Sequence, residues 1–325
     1  MHCNIQEELK KNWIEKVPFY SQILCNYLYL HKSIHTDMST YTHFAKQPDV
    51  LKHLILCEAL RNEAPQVYVE TNSACAIYPM THTPEQQYGI YHFLENADKD
   101  KSLTDSIYYK LESAEMTKGH YLGSPALAMN VSGKQTQRFV FFDLEKSALD
   151  NVALYAKQIG LNTSVEVRNT NSLEGTMQLL PSLPESSFIH IDPYEIDKKG
   201  ESGYTYLDVL IKATQLGMKC LLWYGFITED DKESLENYIT SNLKKEGIKS
   251  YTCVELTMNS IRKDSILCNP GILGSGILAT NLSQESQQMI LDYGNKLVNI
   301  YKDAKYKEYD GSLYIDAFSQ TFSCL

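Results

Sequence analysis

The sequence predicts an α/β protein built on a doubly wound, mostly parallel sheet. From residue 138 onward, short β-branched and aromatic runs alternate with segments of helical period. Three apolar runs end in an acid, at Glu70, Asp143 and Asp192. The 325 residues are 43% apolar and 22% charged, the balance of an ordinary globular chain, with no apolar run long enough to span a membrane.

The elements follow in order. Residues 5–31 read as helical with a break at Pro18, and polar loop signals run on to Ser39. Residues 49–61 read as an amphipathic helix after Pro48, with Asp49 as its cap and Val50, Leu51, Leu54, Ile55 and Leu56 near one face. Residues 67–70 form a strand that runs into the small-residue loop 71–76. Thr83-Pro84-Glu85-Gln86 is a helix start, with a cap, a proline at the first position and a glutamine three after the cap. That helix is expected to reach Asn96, a second spans 104–114, and Gly123-Ser124-Pro125 opens another. Residues 79–122 thus read as an inserted helical region.

Beyond it the chain alternates. Strands are expected at 138–143, 164–168, 187–192, 218–226 and 250–256. Helices are expected at 146–159, 172–180 and 206–216, the last closed by Gly217, and from the Thr228 cap to 245. A glycine-containing ribbon over 271–280 returns to the sheet, and Ser283 caps a final helix. The expected domains are an N-terminal helical extension over 1–45, a core domain over 46–282 and a C-terminal helix and tail over 283–325. Tyr301, Tyr306, Tyr309 and Tyr314 are expected to cover the sheet edge.

Composition narrows the function. The eight cysteines show no Cys-x-x-Cys pair and no zinc spacing, so no metal is expected. The polar N-terminus carries no secretory signal, which predicts a cytoplasmic protein with no membrane partner. A net charge of -10 opposes binding to a phosphate backbone. Lys46, Lys52, Lys118, Arg262 and Lys263 remain for a local basic patch, so weak nucleic-acid binding is expected, with a protein partner or a homodimer as the other expectation.

The chemistry concentrates at strand ends. Asp192-Pro193-Tyr194 closes an apolar run: the carboxylate can accept from an amino group, the proline stiffens the turn, and the ring can stack on a flat substrate. Asp143, closing the second core strand, is placed to accept from the hydroxyls of a ribose. Glu70-Thr71-Asn72 leads the loop where a nucleoside comes close to the backbone. Asp192 has no basic neighbour in sequence, so its loss is expected to leave the core intact. His53 is equally open to a packing role, and Trp223 reads as core.

The motif order resembles the RlmJ-type methyltransferases. The matching segments are Phe44-Ala45-Lys46-Gln47-Pro48-Asp49-Val50-Leu51-Lys52-His53, Tyr68-Val69-Glu70-Thr71, Tyr121-Leu122-Gly123-Ser124-Pro125, Ile189-His190-Ile191-Asp192-Pro193-Tyr194-Glu195, Leu222-Trp223-Tyr224 and Gly274-Ser275-Gly276-Ile277. The single proline after Asp192 is closer to TcmP-type proteins of defence islands. The resemblance implies a class I Rossmann-like methyltransferase fold with S-adenosylmethionine as cofactor and methylation of adenine N6 in RNA or DNA. It implies Asp192, Pro193, Tyr194 and Lys52 as catalytic residues. It implies His53, Glu70, Thr71, Asn72, Ser124, Asp143, Asn171 and Ser172 as cofactor contacts. The family's glycine-rich first loop here reads Ser73-Ala74-Cys75-Ala76, without glycine. Two alternatives stay open: a catalytically degenerate methyltransferase-like partner subunit of a defence system, and a methyltransferase for a small molecule or protein.

Overall fold

The computed structural model describes residues 41–264, 274–306 and 309–321. The expected helix over 5–31 lies outside the described residues, as do the side chains of Arg262, Lys263, Tyr306 and Tyr309.

The centre is an eight-stranded sheet. Its strands are β1 (Val67–Glu70), β4 (Arg138–Asp143), β5 (Val165–Asn169), β6 (Ser187–Ile191), β7 (Lys219–Phe226), β8 (Ser250–Met258), β9 (Gly274–Thr280) and β10 (Leu313–Thr321). Their order is β10-β8-β9-β7-β6-β1-β4-β5. β5, β4, β1, β6 and β7 run parallel. β9 enters antiparallel between β7 and β8, and β10 adds an antiparallel edge. The strand ends bearing Glu70, Asp143 and Ile191 therefore lie side by side, because β1 pairs with both β4 and β6.

Among the described residues, eight longer helices surround the sheet: α1 (Gln47–Glu63), α2 (Ile107–Met116), α3 (Ser124–Ser132), α4 (Lys146–Gln158), α5 (Ser172–Leu179), α6 (Tyr206–Gln215), α7 (Glu229–Lys245) and α8 (Gln284–Tyr301). α1 is not amphipathic, as its sequence suggested. It packs against both α3 and α8, so every residue from Val50 to Leu60 is buried. Asp49 does not begin this helix but sits in its first turn, where Oδ2 accepts from Lys46 N at 3.1 Å. α5 and α6 pack on each other and on the sheet. Among the described residues no helix is long and apolar enough to cross a membrane.

The insertion is less regular than expected. Thr83 and Gln86 form their capping box, but the helix widens into a π-turn over Gln87–Tyr91 and kinks at Gly89. The kink serves packing: a Cβ on Gly89 would lie 2.2 Å from the Ala45 carbonyl oxygen, and Ile90 N donates to that oxygen at 3.0 Å. The expected helix over 104–114 is split at Ser106, whose hydroxyl caps α2 by accepting from Tyr109 N at 3.1 Å. An antiparallel strand pair the sequence did not announce, β2 (Ile77–Pro79) with β3 (His120–Leu122), ties the two ends of the insertion together.

Candidate active site

A cleft of about 560 Å³ opens beside the carboxyl end of β6. Its walls are the segment 41–46, the start of α1, the loop after β1, the β2–β3 pair, the start of α3 and Trp223 of β7. Of the residues singled out in the sequence, Lys52, His53, Asn72, Ser124, Asp192, Pro193 and Tyr194 line it together. Glu70, Thr71, Asp143, Asn171 and Ser172 do not.

The floor is an ion-paired ladder. Lys52 Nζ lies 2.7 Å from Asp192 Oδ2 and 3.2 Å from Asp49 Oδ1, and 5.3 Å from the centre of the Trp223 ring. Burial works against this ammonium, but the two carboxylates outweigh it and hold its pKa above the usual lysine range. Asp192 is thus not isolated, as the sequence had implied; its cation arrives from 140 positions away. Among the described residues no donor is bonded to Asp192 Oδ1. Asp192 N donates to Thr71 Oγ1 at 3.1 Å, which fixes the turn. Tyr194, two residues on, is 79% exposed.

Behind the cleft wall lies a buried polar network. Ser124 Oγ donates to Glu70 Oε1, Tyr68 OH donates to Glu70 Oε2 at 2.8 Å, and His190 Nδ1 is 3.0 Å from Tyr68 OH. His53 Nδ1 meets Tyr121 OH at 2.8 Å. Burial first, then Lys52 and His190, lower the His53 pKa and keep its ring neutral.

The loop after β1 reaches its shape without glycine. Asn72 and Ala74 take the left-handed region at φ 55° and 51°. Five consecutive amides are bonded internally: Ser73 N to Phe142 O, Ala74 N to Asp143 Oδ2, Cys75 N to Tyr78 OH, and Ala76 N and Ile77 N to Asn151 Oδ1. Asp143 Oδ1 accepts from Glu145 N at 2.8 Å and from Tyr41 OH at 2.7 Å. Burial, then Asp143, push the Tyr41 pKa far up, so it remains a donor. Ser172 Oγ donates to Asn72 Oδ1 at 2.9 Å, and Asn171 Oδ1 caps α5.

The segment 41–46 was missed as part of the site: Tyr41, His43, Phe44 and Lys46 all line the cleft. The dense aromatic and histidine content just before α1 was the available signal. Of the cations expected to form a basic patch, Lys46 lines the cleft, and the side chains of Arg262 and Lys263 lie outside the described residues. Lys52 is spent in the ladder, and Lys118 pairs with Glu115 at 2.6 Å.

The strand order, with an antiparallel strand slotted next to the parallel set, defines a class I Rossmann-like methyltransferase fold. No protein-family model matches the chain, and no curated protein matches it. Among solved structures it is similar to a Legionella pneumophila str. Philadelphia 1 protein of family DUF519, at 22% identity over 87% of this chain and 100% of that one, with a TM-score of 0.67. At that identity the likeness speaks to the fold. A Bacillus cereus O-methyltransferase in complex with SAH (10% identity, 77% of this chain and 88% of that one, TM-score 0.42) is too distant to add to it.

Proposed function

We propose that the protein is an S-adenosylmethionine-dependent methyltransferase acting on an amino group of a nucleobase, with adenine N6 in RNA or DNA as the first acceptor to test. The observation that carries this is Asp192. It is anchored on one oxygen by Lys52, open on the other, and followed by an exposed aromatic ring at the mouth of a cleft.

The residues present fit the cofactor. A dinucleotide needs free backbone N–H groups to cradle its pyrophosphate. Here the amides from Ser73 to Ile77 are spent, which disfavours a phosphate and suits a cofactor that has none. A carboxylate offers about four acceptor positions. Three on Asp143 are filled, by Ala74 N, Glu145 N and Tyr41 OH, so one remains for a ribose hydroxyl and a second appears if Tyr41 withdraws. Leu144, 69% exposed, offers an apolar face next to it.

When bound, S-adenosylmethionine supplies an electrophilic methyl group. The protein's work is then mostly positioning. Asp192 Oδ1 accepts from the acceptor's N–H and turns the nitrogen lone pair toward the methyl group. Lys52 fixes the carboxylate by its ion pair with Oδ2. Pro193 stiffens the turn, and Tyr194 stacks on the acceptor ring.

The test is calorimetric titration with S-adenosylhomocysteine. The wild type is expected to bind. Asp143→Asn, which keeps an acceptor for the loop, is expected to bind about tenfold more weakly, since a charge-assisted hydrogen bond contributes ~1.5–3 kcal/mol. No binding at millimolar ligand, or equal binding by the variant, would overturn the assignment.

A second reading, methylation of a small molecule or protein, is favoured by one observation: Lys52, the cation at the floor of the cleft, is held between two carboxylates and so is unavailable to phosphates. Fluorescence anisotropy with single-stranded and duplex oligonucleotides separates the two. Tight binding with a steep salt slope supports a nucleic-acid acceptor; no binding at low salt supports the second reading.

A further inference from the structure

The reading above uses Asp192 and Lys52 and leaves Asp49 without a role. Asp49 lines the same cleft and makes two contacts from the first turn of α1. Its Oδ2 accepts from Lys46 N at 3.1 Å, and its Oδ1 lies 3.2 Å from Lys52 Nζ. The ammonium therefore stands between two carboxylates, with the Trp223 ring as its third neighbour. A lysine head has three donors on a flexible stem of several rotatable bonds. Left with one carboxylate, it is free to straddle both oxygens of Asp192.

We propose that Asp49 is a positioning residue: it engages one side of the Lys52 ammonium, so that Lys52 holds Asp192 by Oδ2 alone and leaves Oδ1 to the acceptor amine. This rests on reading Asp192 as the amine-binding group. The arrangement also accounts for why a buried lysine keeps its charge here. Two carboxylates offset the cost of taking one ammonium out of water, and neither alone does so as well. The groups facing Lys52 are Asp49 on its own helix, Asp192 at the end of β6 and Trp223 on β7. Neutral His53 is its neighbour in sequence.

The sign of the pH effect follows. A lysine whose folded pKa is raised loses its ion pair only as pH climbs through that raised value. Removing one carboxylate brings the loss to lower pH.

The test compares wild type, Asp49→Asn and Asp49→Glu. Asparagine keeps an oxygen for Lys46 N and so preserves the helix start while removing the charge. The first readout is the pH titration of the Lys52 side chain by NMR on protein with labelled lysine, which needs no cofactor. Lys52 in Asp49→Asn is expected to begin losing its proton at least about one pH unit below wild type, a tenfold change in proton affinity, and in Asp49→Glu to stay with wild type. The second readout is the affinity for adenosine in the presence of S-adenosylhomocysteine across the same pH range. It is expected to collapse at lower pH in Asp49→Asn alone. Coincident Lys52 titrations in wild type and Asp49→Asn would overturn the proposal. So would a shifted titration with unchanged adenosine affinity, because Lys52 would then not act on Asp192. If Lys52 shifts but no variant binds adenosine while S-adenosylhomocysteine still binds, the Asp49–Lys52 link is upheld and the acceptor assignment falls.

Discussion

Ala74 is held at φ 51°, a conformation that costs an L-residue about 1–2 kcal/mol. It sits there because its N–H reaches Asp143 Oδ2 and because the amides that follow are tied to Tyr78 and Asn151. The loop thus obtains by side-chain anchoring the turn that glycine gives by conformational freedom. Ala74→Gly should relieve the strain and stabilise the fold by up to about 1 kcal/mol, read as a raised midpoint in chemical denaturation. A lowered midpoint would mean that the methyl group contributes more by packing than it costs in backbone strain. The same residues show what a sequence hides. The absence of glycine at 73–76 was legible, but the compensation was not, because Asn151 and Asp143 reach the loop from 74 and 69 positions away. The Lys52–Asp192 pair was hidden for the same reason. Each partner was named, and only the fold brings them together.

Among the elements, those with strong period and clear caps were legible within a residue or two. α4, α6, α7 and α8 and strands β1, β4 and β6 lie where pattern and caps put them. What escaped was set by tertiary contact. The β2–β3 pair consists of three-residue strands, too short for any alternation to register. The kink at Gly89 exists because the backbone at Ala45 occupies the space of a side chain there. α1 looked one-faced because Lys52, His53 and Glu58 are polar. All three are buried, two of them lining the cleft. The Gly123-Ser124-Pro125 turn has a physical reason for each member. A Cβ at Gly123 would lie 2.1 Å from the Cys75 carbonyl oxygen, Ser124 reaches Glu70, and Pro125 suits the first helical turn. Of the site, the acid and aromatic at the strand ends were readable, whereas in the wall made by Tyr41, His43 and Phe44 only Phe44 fell within a matching segment, and without a place.

At the scale of the whole molecule, charge is buried far from the cleft as well. Glu255 on β8 is fully buried, with Lys232, Glu236 and Asp316 around it and the Tyr224 hydroxyl bonded to its Oε1. Burial, then the hydrogen bond with Glu236, raise its pKa from 4.5 to about 8, against the opposing pull of Tyr224 and Lys232. The folded state therefore binds a proton that the unfolded chain releases near 4.5. That contribution to stability is complete below pH 4.5 and is lost as pH rises toward about 8. The melting temperature should accordingly decline across this window, and Glu255→Gln should flatten the decline. An unchanged slope in the variant would assign the pH dependence to other groups.

The position of β9 sets an order of events for a chain emerging from the ribosome. β7 and β8 are both made before β9, yet the edge each presents to β9 stays unpaired until β9 enters between them. A nascent chain that ends at residue 258 carries an open β7 edge and an unpaired β8, a wrong but available partner for it. Pairing those two directly would trap a sheet with one strand missing from its middle. Exposed edges of this kind are where chains associate with one another. This half of the sheet therefore closes only after β9 and then β10 have emerged, because both are needed to cover the open edges.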